Sequence, residues 1–318
     1  MTDALLRWPA DMVAICDRIA GTRADLKIVL KTRNERELLE KWILHHLPIA
    51  GPQGLVIFDN GSTDPEVLAT YARYGHLVQV FGWDLNHNRI HNATLLRPLY
   101  QALRASCRHY AFLDTDEFAF WTDGERLQAD GLVARLATHD AELVYPGMWW
   151  EHLPGGSGTY APKVDLAWGK PLIGAAVDLE GRINHNVQLV QANPGLRLRG
   201  GFVVCHHALD DAERRIRVNI DKCVAYGWAA DAEEIDAIIA AGRIDELPTR
   251  FRFWVRQIAR LRTEDRKPIG GLGPMAVAVE PDGRLRFGSP ELGRVVGEFA
   301  ASTVLPTEAI GPGPISGP

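Results

Sequence analysis

The chain has 318 residues, 46% of them hydrophobic and 24% charged, with a formal net charge of -5. That composition excludes a wholly disordered chain and leaves no global basic field to gather nucleic acid or an anionic membrane surface. The cysteines, Cys16, Cys107, Cys205 and Cys223, stand at irregular spacings without a Cys-x-x-Cys pair, which argues against a disulfide framework and a structural zinc knot.

At the N-terminus, Asp3, Arg7, Pro9 and Asp11 interrupt the apolar residues and leave no signal-peptide core. No run approaches the ~18 apolar residues of a spanning helix. A soluble, cytoplasmic protein without a transmembrane segment is therefore expected. After an N-terminal helix, Leu26 to Leu30 (LKIVL) reads as a strand that feeds a polar loop at Lys31, Thr32, Arg33, Asn34 and Glu35. Apolar residues then recur at Leu38, Leu39, Trp42, Ile43 and Leu47, a helical stripe closed by Pro48 and Gly51. His46 falls on its apolar face as a packed or capping residue, and His45 is expected to face solvent. Next, Leu55 to Phe58 (LVIF) runs into Asp59-Asn60-Gly61-Ser62-Thr63-Asp64, and Pro65 to Tyr74 forms a helix stopped by Gly75. Leu77 to Trp83 supplies a third strand, Leu95 to Cys107 a helix, and Tyr110 to Leu113 a fourth strand. Such alternation predicts a mostly parallel sheet with helices on both faces.

The pattern then loosens. A helix near Leu132 to Thr138 and a strand at Glu142 to Tyr145 precede the aromatic and glycine-rich run GMWWEHLPGGSGTY, Gly147 to Tyr160, which reads as a binding loop. Gln188 to Val190 and Phe202 to Val204 read as further strands, the second ending in Cys205-His206-His207. Asp210 and Asp211 are placed to cap a helix through Ile216, Ile220 and Val224. Two helices, Asp231 to Ala241 and one through Phe251, Trp254, Ile258 and Leu261, precede a hairpin at Met275 to Phe287 around Pro281-Asp282-Gly283. The expected organisation is a catalytic domain over 1–228, a helical and hairpin appendage over 229–301, and a flexible tail over 302–318.

The most informative segment is YAFLDTDEFAF, Tyr110 to Phe120, which brings Asp114 and Asp116 out of a buried strand one residue apart. Strand ends at the carboxyl edge of an open α/β sheet are where such folds bind ligands. In an extended or tightly turned segment, i and i+2 project to one side, so both carboxylates can face a hard cation such as Mg²⁺ or Mn²⁺. Glu117 adds a third acid.

Three separated segments carry a family likeness: KTRNERELLEKWILHHLPIAG from Lys31 to Gly51, FDNGSTD from Phe58 to Asp64, and FLDTDEF from Phe112 to Phe118. Together they resemble the family 2-like glycosyltransferases, and most closely the subgroup that includes family 92. The resemblance covers residues 26 to 226. It departs from the family at Thr32-Arg33, inserted where a compact Lys-Asn-Glu is usual. It implies an α/β GT-A fold, a nucleotide-sugar donor, UDP-linked by first expectation, and a carbohydrate or glycoconjugate acceptor. It also implies Mn²⁺ or Mg²⁺ as cofactor.

On that resemblance, Asp59 accepts from a nucleobase or ribose and the loop Thr32, Arg33, Asn34 and Glu35 walls the base. Asp114 contacts ribose and metal, and Asp116 ligates the metal. A histidine from VVCHHALDDAERR completes the metal shell, His206 being favoured over His207. Trp149 and Trp150 suit an acceptor platform, because flat aromatic faces pack against sugar C–H faces. Glu151 is the expected base of an inverting transfer, with Asp165 and Asp178 as alternatives. Arg89, in the polar loop NHNRIHN, can pair with phosphate. Two other functions compete. A haloacid dehalogenase-type phosphohydrolase also places Asp-x-Asp after an apolar strand and would use Asp210 and Asp211 as its late acids. A non-catalytic sugar-binding module on the same fold would bind without turnover.

Overall fold

In the computed structural model of the chain, residues 5–85, 89–90, 92–138, 140–153, 158–163, 170–177, 196–209, 211–263 and 272–302 are described. The first half runs β1 (Arg7–Trp8), α1 (Met12–Gly21), β2 (Ala24–Thr32), α2 (Leu39–Ala50), β3 (Leu55–Asp59), α3 (Pro65–Tyr74), β4 (Gln79–Trp83), α4 (Ala93–Ser106) and β5 (Cys107–Phe112). Then follow β6 (Glu117–Thr122), β7 (Leu127–Gln128), α5 (Leu132–Ala137), β8 (Leu143–Tyr145), β9 (Met148–His152), β10 (Thr159–Lys163), β11 (Leu172–Gly174), β12 (Arg197–Leu198) and β13 (Phe202–His206). The chain continues through α6 (Ala212–Ala225), α7 (Ala232–Ala240), α8 (Thr249–Thr263), β14 (Val277–Val279), β15 (Leu285–Phe287) and α9 (Pro290–Ala301).

An eight-stranded sheet has the order β1-β4-β3-β2-β5-β11-β8-β12. Its first five strands in that order are mutually parallel. Strand β3 is buried at every position and β2 from Leu26 onward, the continuous burial expected of strands covered on both faces. Helix α1 packs on α4, and α2 on α3 and α5. Local signals fix the helix starts. Asp64 accepts from Glu66 N ahead of Pro65, and Asn92 accepts from Leu95 N at the start of α4.

A second, seven-stranded sheet has the order β15-β14-β10-β9-β13-β6-β7 and is antiparallel except between β13 and β9. The eight-stranded sheet is the expected mostly parallel one, and this second sheet is an addition to it. EFAFWT forms β6, and MWWEH within the expected binding loop is β9. His45 is likewise not simply solvent-facing. Its Nε2 lies 2.9 Å from Ala119 O, while the buried His46 accepts from Ala119 N at 3.1 Å through Nε2. Two adjacent histidines of α2 thus serve the N–H and the C=O of one residue of β6, Ala119, in keeping with the need of buried backbone groups for partners.

The stretch expected as one C-terminal appendage divides between two cores. Strand β14 pairs with β10, and α9 buries Leu292, Val296 and Phe299 in the main core. Ile216 and Cys223 of α6 instead join Ile235, Phe251, Val255, Ile258 and Leu261 in a separate helical core. Among the described residues no helix is long and apolar enough to cross a membrane. The expected strand at Gln188 to Val190, the flexible tail from 303 onward, and Asp165, Asp178 and Asp210 lie outside the described residues.

Candidate active site

Sheet register builds the centre of the site. His206, the last residue of β13, pairs in register with Glu117 on β6 and with Glu151 on β9. Directly opposed residues share a face, so an acid–histidine–acid row crosses three strands. The imidazole lies 3.0 Å from Glu151 Oε1 through Nδ1 and 3.4 Å from Asp116 Oδ2 through Nε2. Burial would lower its pKa, but Asp116 and Glu151 outweigh that and raise it to about 9. Burial would raise the Asp116 carboxyl. His206, Arg215 and Arg214 override it and hold that group far below the ordinary carboxylate range.

The Asp116 and Glu117 carboxylates and the His206 imidazole offer atoms within 4.8 Å of one another. Among the described residues no other set of three histidine, cysteine or acidic side chains comes so close. Two oxygen donors and one imidazole suit Mn²⁺ or Mg²⁺ by donor chemistry. This set shares Asp116 and His206 with the expected Asp114, Asp116 and His206, while Asp114 takes a different partner for a local reason. The chain turns between Phe112 and Glu117, with Glu117 N donating to Asp114 O at 3.1 Å and Asp114 N to Glu117 Oε2 at 2.7 Å. The side chains of Asp114 and Asp116 therefore find different partners. Asp114, 59% exposed, binds Lys170 at 2.7 Å, whereas Glu117, 1% exposed, turns inward toward Lys170 at 2.9 Å. Burial pushes the Glu117 carboxyl up, against the pull of Lys170.

His207 points elsewhere: its Nε2 lies 3.4 Å from Tyr160 Oη and its ring stacks on His152. Trp149 leans on His206 with centroids 4.4 Å apart, and its Nε1 donates to Glu151 Oε2 at 3.0 Å. Trp150, the other expected platform residue, is 0% exposed because alternation along β9 sends it to the opposite face. Glu151 has one oxygen on His206 and the other on Trp149, with Lys163 at 3.9 Å. Burial would raise its pKa, but the His206 bond lowers it.

Of the expected nucleotide-binding residues, several knit two strand-end loops together. Asn34, at φ 53°, donates its N–H to Ser62 Oγ at 2.9 Å and accepts from Thr63 N and Asp64 N at 2.8 and 3.0 Å. Asp59 accepts from Ser62 N at 2.9 Å and from Tyr71 Oη at 3.0 Å. Thr32 accepts from Thr115 Oγ1 at 3.0 Å, which ties this loop to the acidic turn. Burial pushes the Glu35 carboxyl up to about 7, with Asp116 adding to it. Arg33 and Arg89 are exposed.

Cations make up the part of the site that the motifs did not flag. Arg215 of α6 lies 3.7 Å from Asp116, and the buried Arg214 donates to His207 O at 2.5 Å. Burial lowers Lys31 to about 7 and also lowers Lys222, each against the pull of Asp114. The dipeptide Arg214-Arg215 lies within the VVCHHALDDAERR segment. Lys170, 53 residues after Glu117, carries no local signal.

Gly147 positions Lys170 from below. A Cβ there would stand 2.4 Å from Lys170 O and 3.1 Å from Val204 Cγ2. Gly147→Ala is expected to cost about 1–3 kcal/mol, the range for overpacking a filled interior, and to displace Lys170. Chemical denaturation measures the first effect. An unchanged midpoint and slope would show that the strand edge yields freely.

No protein-family model matches the chain, and no curated protein matches it by sequence. Among solved structures it is similar to the mannosyltransferase PcManGT from Pyrobaculum calidifontis in complex with GDP-Man and Mn²⁺, at 13% identity over 94% of this chain and 85% of that one, TM-score 0.36. A second is the glucosyl-3-phosphoglycerate synthase from Mycobacterium tuberculosis in complex with Mn²⁺, UDP and glucosyl-3-phosphoglycerate, at 18% identity over 46% and 52% of the two chains, TM-score 0.27. TarS from S. aureus, 14% identical over 76% and 72%, has a TM-score of 0.35. Likenesses this distant carry no conclusion about activity. The α/β class rests on the strand order itself: a parallel half-sheet whose strand-end loops meet an acidic turn leading into a second sheet.

Proposed function

We propose that the protein is a metal-dependent glycosyltransferase that moves a sugar from a nucleoside diphosphate donor, UDP-linked by first expectation, to an acceptor hydroxyl. The observation that carries this reading is the Asp116–Glu117–His206 cluster at the carboxyl edge of the parallel strands, ringed by Lys170, Arg214 and Arg215. Asp116, Glu117 and His206 would hold Mn²⁺ or Mg²⁺, and a bound divalent ion supplies electrostatic stabilisation to a departing diphosphate. The loop at Thr32 to Glu35 and Asp59 would wall the nucleotide. Asp59 does so chiefly by fixing the loop that follows it, since both its oxygens already accept protein hydrogen bonds. Trp149 would offer one aromatic face to the acceptor. Glu151 positions His206 in this reading, as carboxylates commonly do for metal-binding imidazoles.

The phosphohydrolase alternative loses one of its acids to structure, since Asp211 accepts from Arg214 N as the cap of α6. Incubation with UDP- and GDP-sugars and Mn²⁺ tests the reading. Release of nucleoside diphosphate that stops on chelation is expected. Binding of nucleotide sugars without release would favour the non-catalytic module, and neither binding nor release would contradict the proposal.

A further inference from the structure

Glu117 belongs to two groups at once. Its carboxylate is one of three side chains whose ligand atoms lie within 4.8 Å of one another, and it also stands 2.9 Å from Lys170 Nζ. Lys170 spans from Glu117 to Asp114, 2.7 Å away, with its own side chain only 15% exposed. Asp114, Asp116 and Glu117 carry three negative charges. Lys170, Arg215 and the His206 imidazole stand within 4.0 Å of these carboxylates. A divalent ion held by Glu117 would face the Lys170 ammonium across that buried carboxylate, where charge interactions are strong. Withdrawal of the ammonium relieves that repulsion.

Withdrawal is mechanically simple. The backbone of Lys170 is held against Gly147, where even a Cβ would overlap its carbonyl at 2.4 Å. Only the flexible four-carbon stem has to swing, which suits lysine better than arginine. The Asp114 end of the bridge is exposed, so on the donor reading a diphosphate could reach the ammonium there.

We propose that Lys170 is a resident counter-cation that leaves Glu117 when a divalent ion binds and then pairs with the diphosphate of the nucleotide, so that metal and nucleoside diphosphate bind cooperatively. This rests on the donor reading above. By linkage, each ligand then tightens the other by the same factor.

Calorimetry with Mn²⁺ alone, UDP or GDP alone, and Mn²⁺ at saturating nucleotide tests it on the wild type, Lys170→Met and Lys170→Arg. The wild type should bind Mn²⁺ about tenfold more tightly when UDP or GDP is present, a coupling of ordinary size. Lys170→Met should bind Mn²⁺ alone more tightly than the wild type and lose most of that coupling. Lys170→Arg, whose fork can hold both carboxylates, should bind Mn²⁺ more weakly. If Lys170→Met does not fold, the arginine variant alone decides. Lys170→Met affinity for Mn²⁺ no higher than wild type, undiminished coupling, or Lys170→Arg affinity no lower, would each overturn the role of Lys170 while leaving the donor reading intact. A wild type that binds neither UDP nor GDP with Mn²⁺ would overturn both.

Discussion

Asp116→Asn is expected to abolish Mn²⁺-dependent binding of a nucleoside diphosphate, and with it turnover, while the protein stays folded. Asparagine keeps the shape of the side chain and removes one anion from the set that would hold the metal. A divalent ion supplies several kcal/mol to phosphate-leaving chemistry, so turnover should fall by more than about 10²-fold at tenfold per 1.4 kcal/mol, and nucleotide affinity in Mn²⁺ should fall to the metal-free value, about tenfold. The fold should survive because the backbone of this turn is bonded independently of the carboxylate: Asp116 O accepts from His207 N at 2.7 Å. His206 and Arg215 lose a counter-charge but keep other partners, Glu151 for one and Gln257 for the other. Calorimetry on the folded variant checks this. Nucleotide affinity unchanged from wild type, with or without chelator, would remove Asp116 from the metal site.

Glu151→Gln separates two roles for one carboxylate. With one oxygen on His206 Nδ1 and the other on Trp149 Nε1, Glu151 orients the imidazole. Loss of such an orienting partner typically costs 10–100-fold in metal affinity or activity, so Mn²⁺ affinity should fall by about that factor and turnover with it. A general base would behave otherwise. Its removal would lower the rate by ~10²–10⁴-fold at unchanged metal and donor affinity, and that result would restore Glu151 as the group that deprotonates the acceptor. Parallel measurement of Mn²⁺ affinity and initial rate distinguishes the two.

The parallel half of the fold was legible because its strands are buried on both faces and so read as apolar runs, LKIVL interrupted only by Lys27 and LVIF unbroken, each followed by a polar loop. The second sheet was not, because burial there depends on partners far away in the chain. Glu117 looks like a surface acid in EFAFWT, yet it is 1% exposed with Lys170 beside it. Glu151 and His152 look like loop residues, yet register on β13 and β10 makes them a strand. Lys27 shows the same limit within an otherwise readable strand. It is fully buried, and its ammonium donates to Ile19 O, Thr22 O and Ser106 Oγ, which no local pattern announces. At the site, Asp116 and His206, expected together, stand 3.4 Å apart. Asp114 was grouped with them because i and i+2 share a side in an extended chain, whereas here the chain turns between the two strands.

A crystal grown with Mn²⁺ and a nucleoside diphosphate, with diffraction recorded at the manganese absorption edge, tests the central claim most directly. The account predicts an anomalous peak within coordination distance of Asp116, Glu117 and His206, with the diphosphate against it and the base beside the loop from Thr32 to Glu35. A nucleotide bound with no manganese at that cluster, or manganese there with no nucleotide at saturating concentration, would contradict it.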